Sequence, residues 1–203
     1  MFLIQPSNFI KWIYNDAIWR VKTEEKKIYL TFDDGPIPKI TPWVINTLKS
    51  FNIKATFFCV GENILKNPDI YNDILVHKHS IGNHCYNHLN GWETNNSTYF
   101  NNIEACNKLI NSNLYRPPYG RMKQSQYTHL KDKYNIIMWD VLTGDYRKDI
   151  TPEACLKRTI ENTREGSIVV FHENEKAKQN MYYSLPRYIE HYLKKGWIFD
   201  ALE

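Results

Sequence analysis

Residues 31–36 read Thr-Phe-Asp-Asp-Gly-Pro, and they constrain the fold more than any other segment. They close an apolar run, Ile28-Tyr29-Leu30, with the character of a buried strand. Gly35 and Pro36 then end it, because glycine permits unusual turns and proline donates no ladder hydrogen bond. Asp33 and Asp34 are left side by side at the strand's C-terminal end. Adjacent carboxylates repel unless something positive lies beside them. A metal ion, with one carboxylate as ligand and the other as base, resolves that repulsion.

Alternation continues along the chain. Apolar, β-branched or aromatic runs occur at 28–32, 55–60, 80–83, 114–116, 136–139, 167–171 and 197–201. Helix-like stretches occupy 40–51, 67–78, 98–111, 125–133, 152–164 and 182–195. Thr41-Pro42 and Thr151-Pro152 each read as a capping residue followed by proline at the first helical position. Gly166 and Gly196 stand where helices should stop before strands. This order predicts an α/β fold with a parallel sheet wound with helices. Seven strands suit either an open doubly wound sheet or a closed barrel. Asp33-Asp34, His84, Arg116, Asp145 and His172 lie at or after the C-terminal ends of different strands, where both architectures bind ligands.

At 203 residues the chain suits a single domain with a substantial core. Its 26 basic and 22 acidic residues leave a net charge of +4, with no basic block beyond short pairs such as Lys26-Lys27 and Lys194-Lys195. Nucleic acid is therefore not an expected partner. Aromatic residues make up 14% and fill a core first, although such rings also stack on sugars. Cys59, Cys85, Cys106 and Cys155 form no CxxC and read as reduced thiols. Met1–Tyr14 starts apolar, but Pro6 and Asn8 interrupt it, and it lacks a secretory signal pattern. No window reaches membrane-spanning length. These features set the expectation of a cytoplasmic monomer with no membrane span.

His84-Cys85-Tyr86-Asn87-His88 follows the run at 80–83. Two histidines four apart fall on one face of a helical turn and can chelate one metal. With Asp34 they make three protein ligands with a position left open, the pattern of a catalytic rather than a structural metal. Arg116-Pro117-Pro118-Tyr119-Gly120 joins a rigid loop to an arginine suited to pairing with a buried carboxylate. Trp139–Tyr146 reads as a strand running into a loop that bears Asp145, and Gly166–Glu173 as an apolar strand ending in His172. Singly, each has an ordinary reading: surface or capping histidines, a structural turn, a turn aspartate, a core histidine. Five of them at predicted strand ends point to one site.

With these motifs in this order, the sequence resembles the polysaccharide deacetylases of the NodB-type chitooligosaccharide-deacetylase group, carbohydrate esterase family four. The resemblance covers residues 26–201. It implies a distorted (β/α)7 TIM-like barrel in a single domain, with residues 26–203 as the catalytic domain and 1–25 as an N-terminal extension packed on it. It implies a metal-dependent hydrolase that removes N-acetyl groups from an amino-sugar polysaccharide or oligosaccharide, peptidoglycan or chitin-like. Asp34, His84 and His88 would bind a divalent metal, zinc foremost, with Co, Ni or Mn as alternatives. Asp33 would be the general base, oriented by Arg116. The backbone N–H of Tyr119 would help hold the oxyanion. His172 would be the general acid, with Asp145 paired to its imidazole. Tyr146 and Val170 would border the pocket for the acetyl methyl. Trp92, Tyr119, Trp139 and Tyr146 are candidates to line a sugar groove, although Trp139, within a strand run, fits a core role better. Family members usually act outside the cytoplasm, against the expectation drawn from the N-terminus and the thiols.

The chain departs from the family pattern at Cys85, where Ser or Thr is usual, at Leu142, where an acidic residue is usual, and at Val170, where Leu is frequent. None of these touches the expected ligands or the base. An O-acetyl glycan esterase is the second enzyme reading, since the same tetrahedral chemistry serves it, and a peptidoglycan amidase is a third. The competing class is a non-catalytic glycan-binding relative. Such relatives usually lose a metal ligand or the base, and this chain keeps them.

Overall fold

The first strand, β1 (Lys27–Asp33), is buried at every position after Lys27. A strand apolar on both faces needs cover on both, and the rest of the chain supplies it. This computed structural model describes residues 5–203. A short helix, α1 (Asn8–Ile13), precedes β1. After it come α2 (Ile40–Ser50), β2 (Thr56–Cys59), α3 (Gly61–Lys66), α4 (Pro68–Val76), β3 (Ser80–Asn83), α5 (Asn96–Ile110) and β4 (Leu114–Tyr115). The chain continues through α6 (Gln124–Leu130), β5 (Asn135–Ile136), β6 (Val141–Leu142), α7 (Pro152–Asn162), β7 (Ile168–His172), α8 (Lys178–Leu193) and β8 (Ile198–Asp200).

The strands run parallel in the order β5-β4-β3-β2-β1-β7-β6. Short β8 pairs with Lys27–Tyr29 of β1, on the edge that β2 uses further along at Thr31–Asp33. Among the described residues β5 and β6 end the path without pairing to each other, so the sheet curls as a distorted barrel that does not close. The segment around Ile18 lies beside that opening. It bonds to Ile136 and Met138 at one edge, and Val21 bonds to Gly166 beside β7. The first four residues of the expected 1–25 extension lie outside the described residues. Among those described, no helix is long and apolar enough to cross a membrane.

Period-two alternation sorts the side chains of β1. Ile28, Leu30 and Phe32 pack outward against α2 and α8 in the main core. Phe32 stacks on Phe57 and Phe171, with ring centroids 5.1 and 6.1 Å away. Tyr29, Thr31 and Asp33 therefore face the barrel interior. β7 repeats the arrangement: Val169 and Phe171 belong to the outer core, while Ile168, Val170 and His172 share the other face. Helix α2 buries Ile40, Thr41, Val44, Ile45 and Leu48, a single stripe at helical spacing.

Several local expectations change. The run at 136–139 is not one strand: β5 stops at Ile136 and β6 starts at Val141. The carbonyls of Ile137 and Met138 turn to the Arg116 guanidinium instead, at 3.2 and 2.9 Å. Thr41 does not cap α2. It lies inside the first turn, where its hydroxyl accepts from the Ile37 N–H at 2.7 Å. Thr151 does cap α7, accepting from the Ala154 N–H at 3.2 Å with Pro152 next in line. Gly166 and Gly196 take φ of 72° and 75°, the left-handed conformation expected of stops. Helix α3 was not expected, and α8 begins at Lys178, earlier than the pattern suggested.

Candidate active site

The site begins where β1 stops. Asp34 takes a positive φ of 79°, which turns its carboxylate away from the strand direction. Gly35 follows because nothing larger fits: a Cβ there would lie 2.1 Å from Oε2 of Glu173. Asp33 stays in the ladder between Phe58 of β2 and His172 of β7. Its Oδ1 accepts from Nη1 of Arg116 at 2.7 Å. Arg116 is fully buried. All three of its nitrogens are used, since Nη1 also donates to Thr31 Oγ1 at 2.7 Å and the other two reach the carbonyls of Ile137 and Met138. Its guanidinium also sits 4.1 Å from the Phe58 ring centroid. A buried charge so fully bonded holds Asp33 in one place.

Asp34, His84 and His88 offer three ligand atoms that all lie within 4.8 Å of one another. Oδ1 of Asp34 is 3.1 Å from Nε2 of His88 and 3.7 Å from Nε2 of His84. His84 Nδ1 is hydrogen-bonded to the Arg116 carbonyl at 2.8 Å. A carbonyl only accepts, so Nδ1 carries the proton and Nε2 keeps its lone pair. Burial dominates the His84 titration and pushes its pKa down to about 4, which leaves the ring neutral. Burial also opposes ionisation of Asp34. The hydrogen bond from His88 and the positive charge of His172 outweigh it, and the carboxyl stays well below the usual carboxylate range. One ionised carboxylate and two imidazoles, one of them neutral by tautomer and burial, suit a divalent cation and leave coordination positions open.

The two histidines do not sit on a helical turn. Residues 84–88 form a loop with φ of 63° at Cys85 and 55° at His88. Asparagine side chains take the place of helical hydrogen bonds: Asn83 Oδ1 accepts from Cys85 N–H at 2.9 Å, and Asn102 Oδ1 accepts from those of Tyr86 and Asn87 at 2.8 and 3.0 Å. The loop still aims both Nε2 atoms at Asp34. Cys85 is buried, with its sulfur 3.5 Å from the Tyr115 hydroxyl, and burial pushes its thiol up to about 12. It is not in the ligand group.

Across the cleft, His172 ends β7. Asp145 holds it twice, through Oδ2 to the backbone N–H at 2.7 Å and through Oδ1 to ring Nδ1 at 2.8 Å. Burial disfavours the imidazolium, but the Asp145 charge and hydrogen bond outweigh it and raise the pKa to about 9. With Nδ1 taken, Nε2 is the nitrogen left for the cleft. The loop bearing Asp145 is pinned by Asn180, whose amide donates to the carbonyls of Asp145 and Arg147 at 2.8 and 3.1 Å.

Asp33, Asp34, His84, His88 and His172 share one cleft of about 390 Å³. Tyr119, Trp139, Leu142 and Tyr146 line it. Tyr119 meets His88 edge to face at 4.6 Å, and Tyr146 meets His172 at 4.8 Å. Arg116 and Asp145 lie behind the cleft wall, fully buried. Trp139 serves both roles: it packs against the core edge to face with Trp19, and it lines the cleft, where Gly120 brings the Tyr119 loop against its ring; a Cβ on Gly120 would lie 2.3 Å from it. Val170 is not among the lining residues. It lies one pleat below His172, fully buried and paired with Thr31 and Leu142. Leu142, read in the sequence only as a departure, takes the lining position. Trp92 also stays out of the cleft, donating its indole N–H to the Met122 carbonyl at 2.9 Å beneath Arg121.

Three contributors escaped the sequence reading. Thr31 lies two residues before Asp33, on the same face, and helps hold Arg116. Asn174 donates its amide to Oδ2 of Asp34 at 2.6 Å, leaving Oδ1 for the histidine side. Glu173 is fully buried beneath Gly35. Burial comes first in raising its pKa to about 8, and the neighbouring carboxylates add to it. For Glu173 and Asn174 the position just past His172 was the available signal.

A family model described as polysaccharide deacetylase matches residues 20–134, more than half of the chain. The chain belongs to the polysaccharide deacetylase family. One Bacillus cereus relative named peptidoglycan-N-acetylglucosamine deacetylase is 35% identical over 153 residues, covering 72% of this chain and 55% of the relative. A second of the same name and organism is 30% identical over 189 residues, covering 89% of this chain and 88% of the relative. The chain thus spans about half the length of the first and most of the second. A crystal structure of a peptidoglycan N-acetylglucosamine deacetylase, bound to 4-naphthalen-1-yl-N-oxidanyl-benzamide, superposes with a TM-score of 0.88 at 30% identity, covering 95% of this chain and 94% of that one.

Proposed function

We propose that this polysaccharide deacetylase is a zinc-dependent hydrolase that removes N-acetyl groups from amino sugars of a peptidoglycan or chitin-like glycan. One observation carries the reading. A three-residue metal group, an arginine-held carboxylate and a carboxylate-held histidine line or back a single cleft. Asp34, His84 and His88 would hold the zinc, which when bound polarises the acetyl carbonyl and acidifies water.

The chain's own groups divide the proton transfers. Arg116 occupies Oδ1 of Asp33, so Oδ2, 4.0 Å from His84 Nε2, is the oxygen that takes the proton from the attacking water. A carbon–oxygen bond forms and the amide carbon–nitrogen bond breaks. His172, protonated at neutral pH, gives its Nε2 proton to the departing nitrogen, and acetate and the free amine leave. Asp145 keeps that imidazole oriented and charged. The Tyr119 backbone N–H is assigned to the developing oxyanion. Tyr146 and Leu142 border the acetyl methyl, with Val170 beneath them. Catalysis is assigned to residues 26–203, with residues 5–25 as the described part of an extension packed on the barrel.

The test is acetate release from N-acetylated chitooligosaccharides and peptidoglycan strands by native, chelated and zinc-reloaded protein. Activity should fall with chelation and return with zinc. Asp33→Asn should lower kcat by about 10²- to 10⁴-fold while binding one zinc per chain. Full activity of that variant would remove Asp33 as base.

A further inference from the structure

Residues 14–21 run beside the barrel opening, and most of them lie before residue 20, where the match to the family model begins. The segment is bonded along its length. Ile18 donates its N–H to the Ile136 carbonyl and accepts from the Met138 N–H, each at 2.8 Å, and Val21 donates to the Gly166 carbonyl at 2.9 Å. The peptide between Ile137 and Met138 is therefore gripped from two sides. Its N–H is held by Ile18, and its carbonyl accepts from Nε of Arg116 at 3.2 Å. Arg116 in turn holds Asp33. Near its start the segment also reaches the loop that bears Tyr119, because the Tyr14 hydroxyl donates to the Met122 carbonyl at 2.6 Å.

Trp19 follows Ile18 on this tethered backbone. It is buried, and its indole N–H donates to the Tyr14 carbonyl at 3.2 Å. Its ring meets Trp139 edge to face, with centroids 6.4 Å apart and planes at 69°. Trp139 lines the cleft together with Tyr119, Leu142 and Tyr146, and Gly120 lies against the same ring. Trp19 itself is not among the lining residues, so its effect on the cleft passes through Trp139. A wall ring fixed in this way is in place before any ligand arrives, and a wall already ordered costs nothing to order on binding.

We propose that Trp19 is a positioning residue of the deacetylase, which fixes Trp139 and so preorganises the wall against which the sugar binds. The inference rests on the deacetylase reading and adds to it a residue ahead of the segment matched by the family model. An edge-to-face aromatic pair is worth about two- to tenfold in an equilibrium, and that factor belongs to KM. The peptide behind Arg116 is held by the backbone of Ile18 and not by the Trp19 side chain, so kcat should not follow.

The experiment measures kcat and KM for acetate release by zinc-loaded native protein, Trp19→Ala, Trp19→Phe and Leu130→Ala, on whichever of N-acetylated chitotetraose and peptidoglycan strands the native protein deacetylates. Leu130 is buried in the same apolar cluster as Trp19, so its truncation controls for lost packing alone. Trp19→Ala should raise KM about two- to tenfold with kcat close to native, and Trp19→Phe, which keeps an aromatic edge, should restore most of the loss. Leu130→Ala should lower Tm and leave KM at the native value. Should Trp19→Ala fail to fold, Trp19→Leu, which keeps bulk but no ring, takes its place with the same expectations. A native KM in the variant without the ring, a loss confined to kcat, or an equal rise in Leu130→Ala overturns the assignment while leaving the deacetylase reading standing. Acetate from neither substrate with zinc-loaded native protein overturns the deacetylase reading, and the assignment with it.

Discussion

Replacing Asp145 by Asn tests the acid half of the site most directly. The carboxylate now bonds both the ring Nδ1 and the backbone N–H of His172, and it outweighs the burial penalty to raise the imidazole pKa from 6.5 to about 9. At pH 7.5 almost every native molecule then carries the proton that the leaving nitrogen needs. An amide in place of the carboxylate removes the negative charge and leaves the burial penalty. The pKa returns to 6.5 or lower, and about one molecule in ten or fewer is protonated. The rate at pH 7.5 should fall at least tenfold from this term alone, and the alkaline limb of kcat/KM should move to lower pH by about two units or more. Stability follows the same linkage. The folded pKa lies above the unfolded one, so the contribution is fully present below pH 6.5 and lost as pH rises through about 9. It amounts to ~3 kcal/mol, and Asp145→Asn should remove most of it at pH 6 and little at pH 10. The assays are acetate release across pH 5–10 and urea unfolding at the two ends. A variant whose alkaline limb stays in place would refute the assignment of His172 as the acid under Asp145's control.

Other outcomes follow from the same geometry. Arg116→Met should destabilise the fold by about 3–5 kcal/mol in denaturant titrations, because Asp33 is left buried without its cation. Asn174→Ala should weaken zinc binding by about 10- to 100-fold in a chelator competition, since it frees the second oxygen of Asp34, and should destabilise the metal-free protein by only about 1 kcal/mol through loss of the bond to the Ala177 N–H.

The motifs were legible because each lies where a strand stops, and strand ends are marked locally. An apolar run that meets glycine, proline or a charged pair can be read without knowing any neighbour. That is how Asp33, Asp34, Arg116, Asp145 and His172 were found, and why an α/β fold with a parallel sheet followed. The break between β5 and β6 was not legible. The residues at 136–139 look like one strand, and what ends β5 is Arg116, about twenty residues earlier, drawing two carbonyls out of the ladder. The helical turn expected for His84–His88 failed for a similar reason. Asn83 and Asn102 supply the bonds that a helix would have made, and Asn102 lies on a different element.

What the amino-acid order determined by itself is the reactive inventory and the end of the sheet at which it lies. Local signals suffice there, because side-chain chemistry and chain reversal depend on adjacent residues. Which groups touch was decided only by the tertiary structure. Oδ1 of Asp33 faces Arg116 because β1 and β4 converge on the barrel interior, and Val170 lies beneath the cleft because the pleat of β7 sets it one step below His172. Asn174 reaches Asp34 across 140 positions of chain. Contacts of that kind depend on how a curled sheet brings distant strand ends together, and no local pattern encodes that convergence.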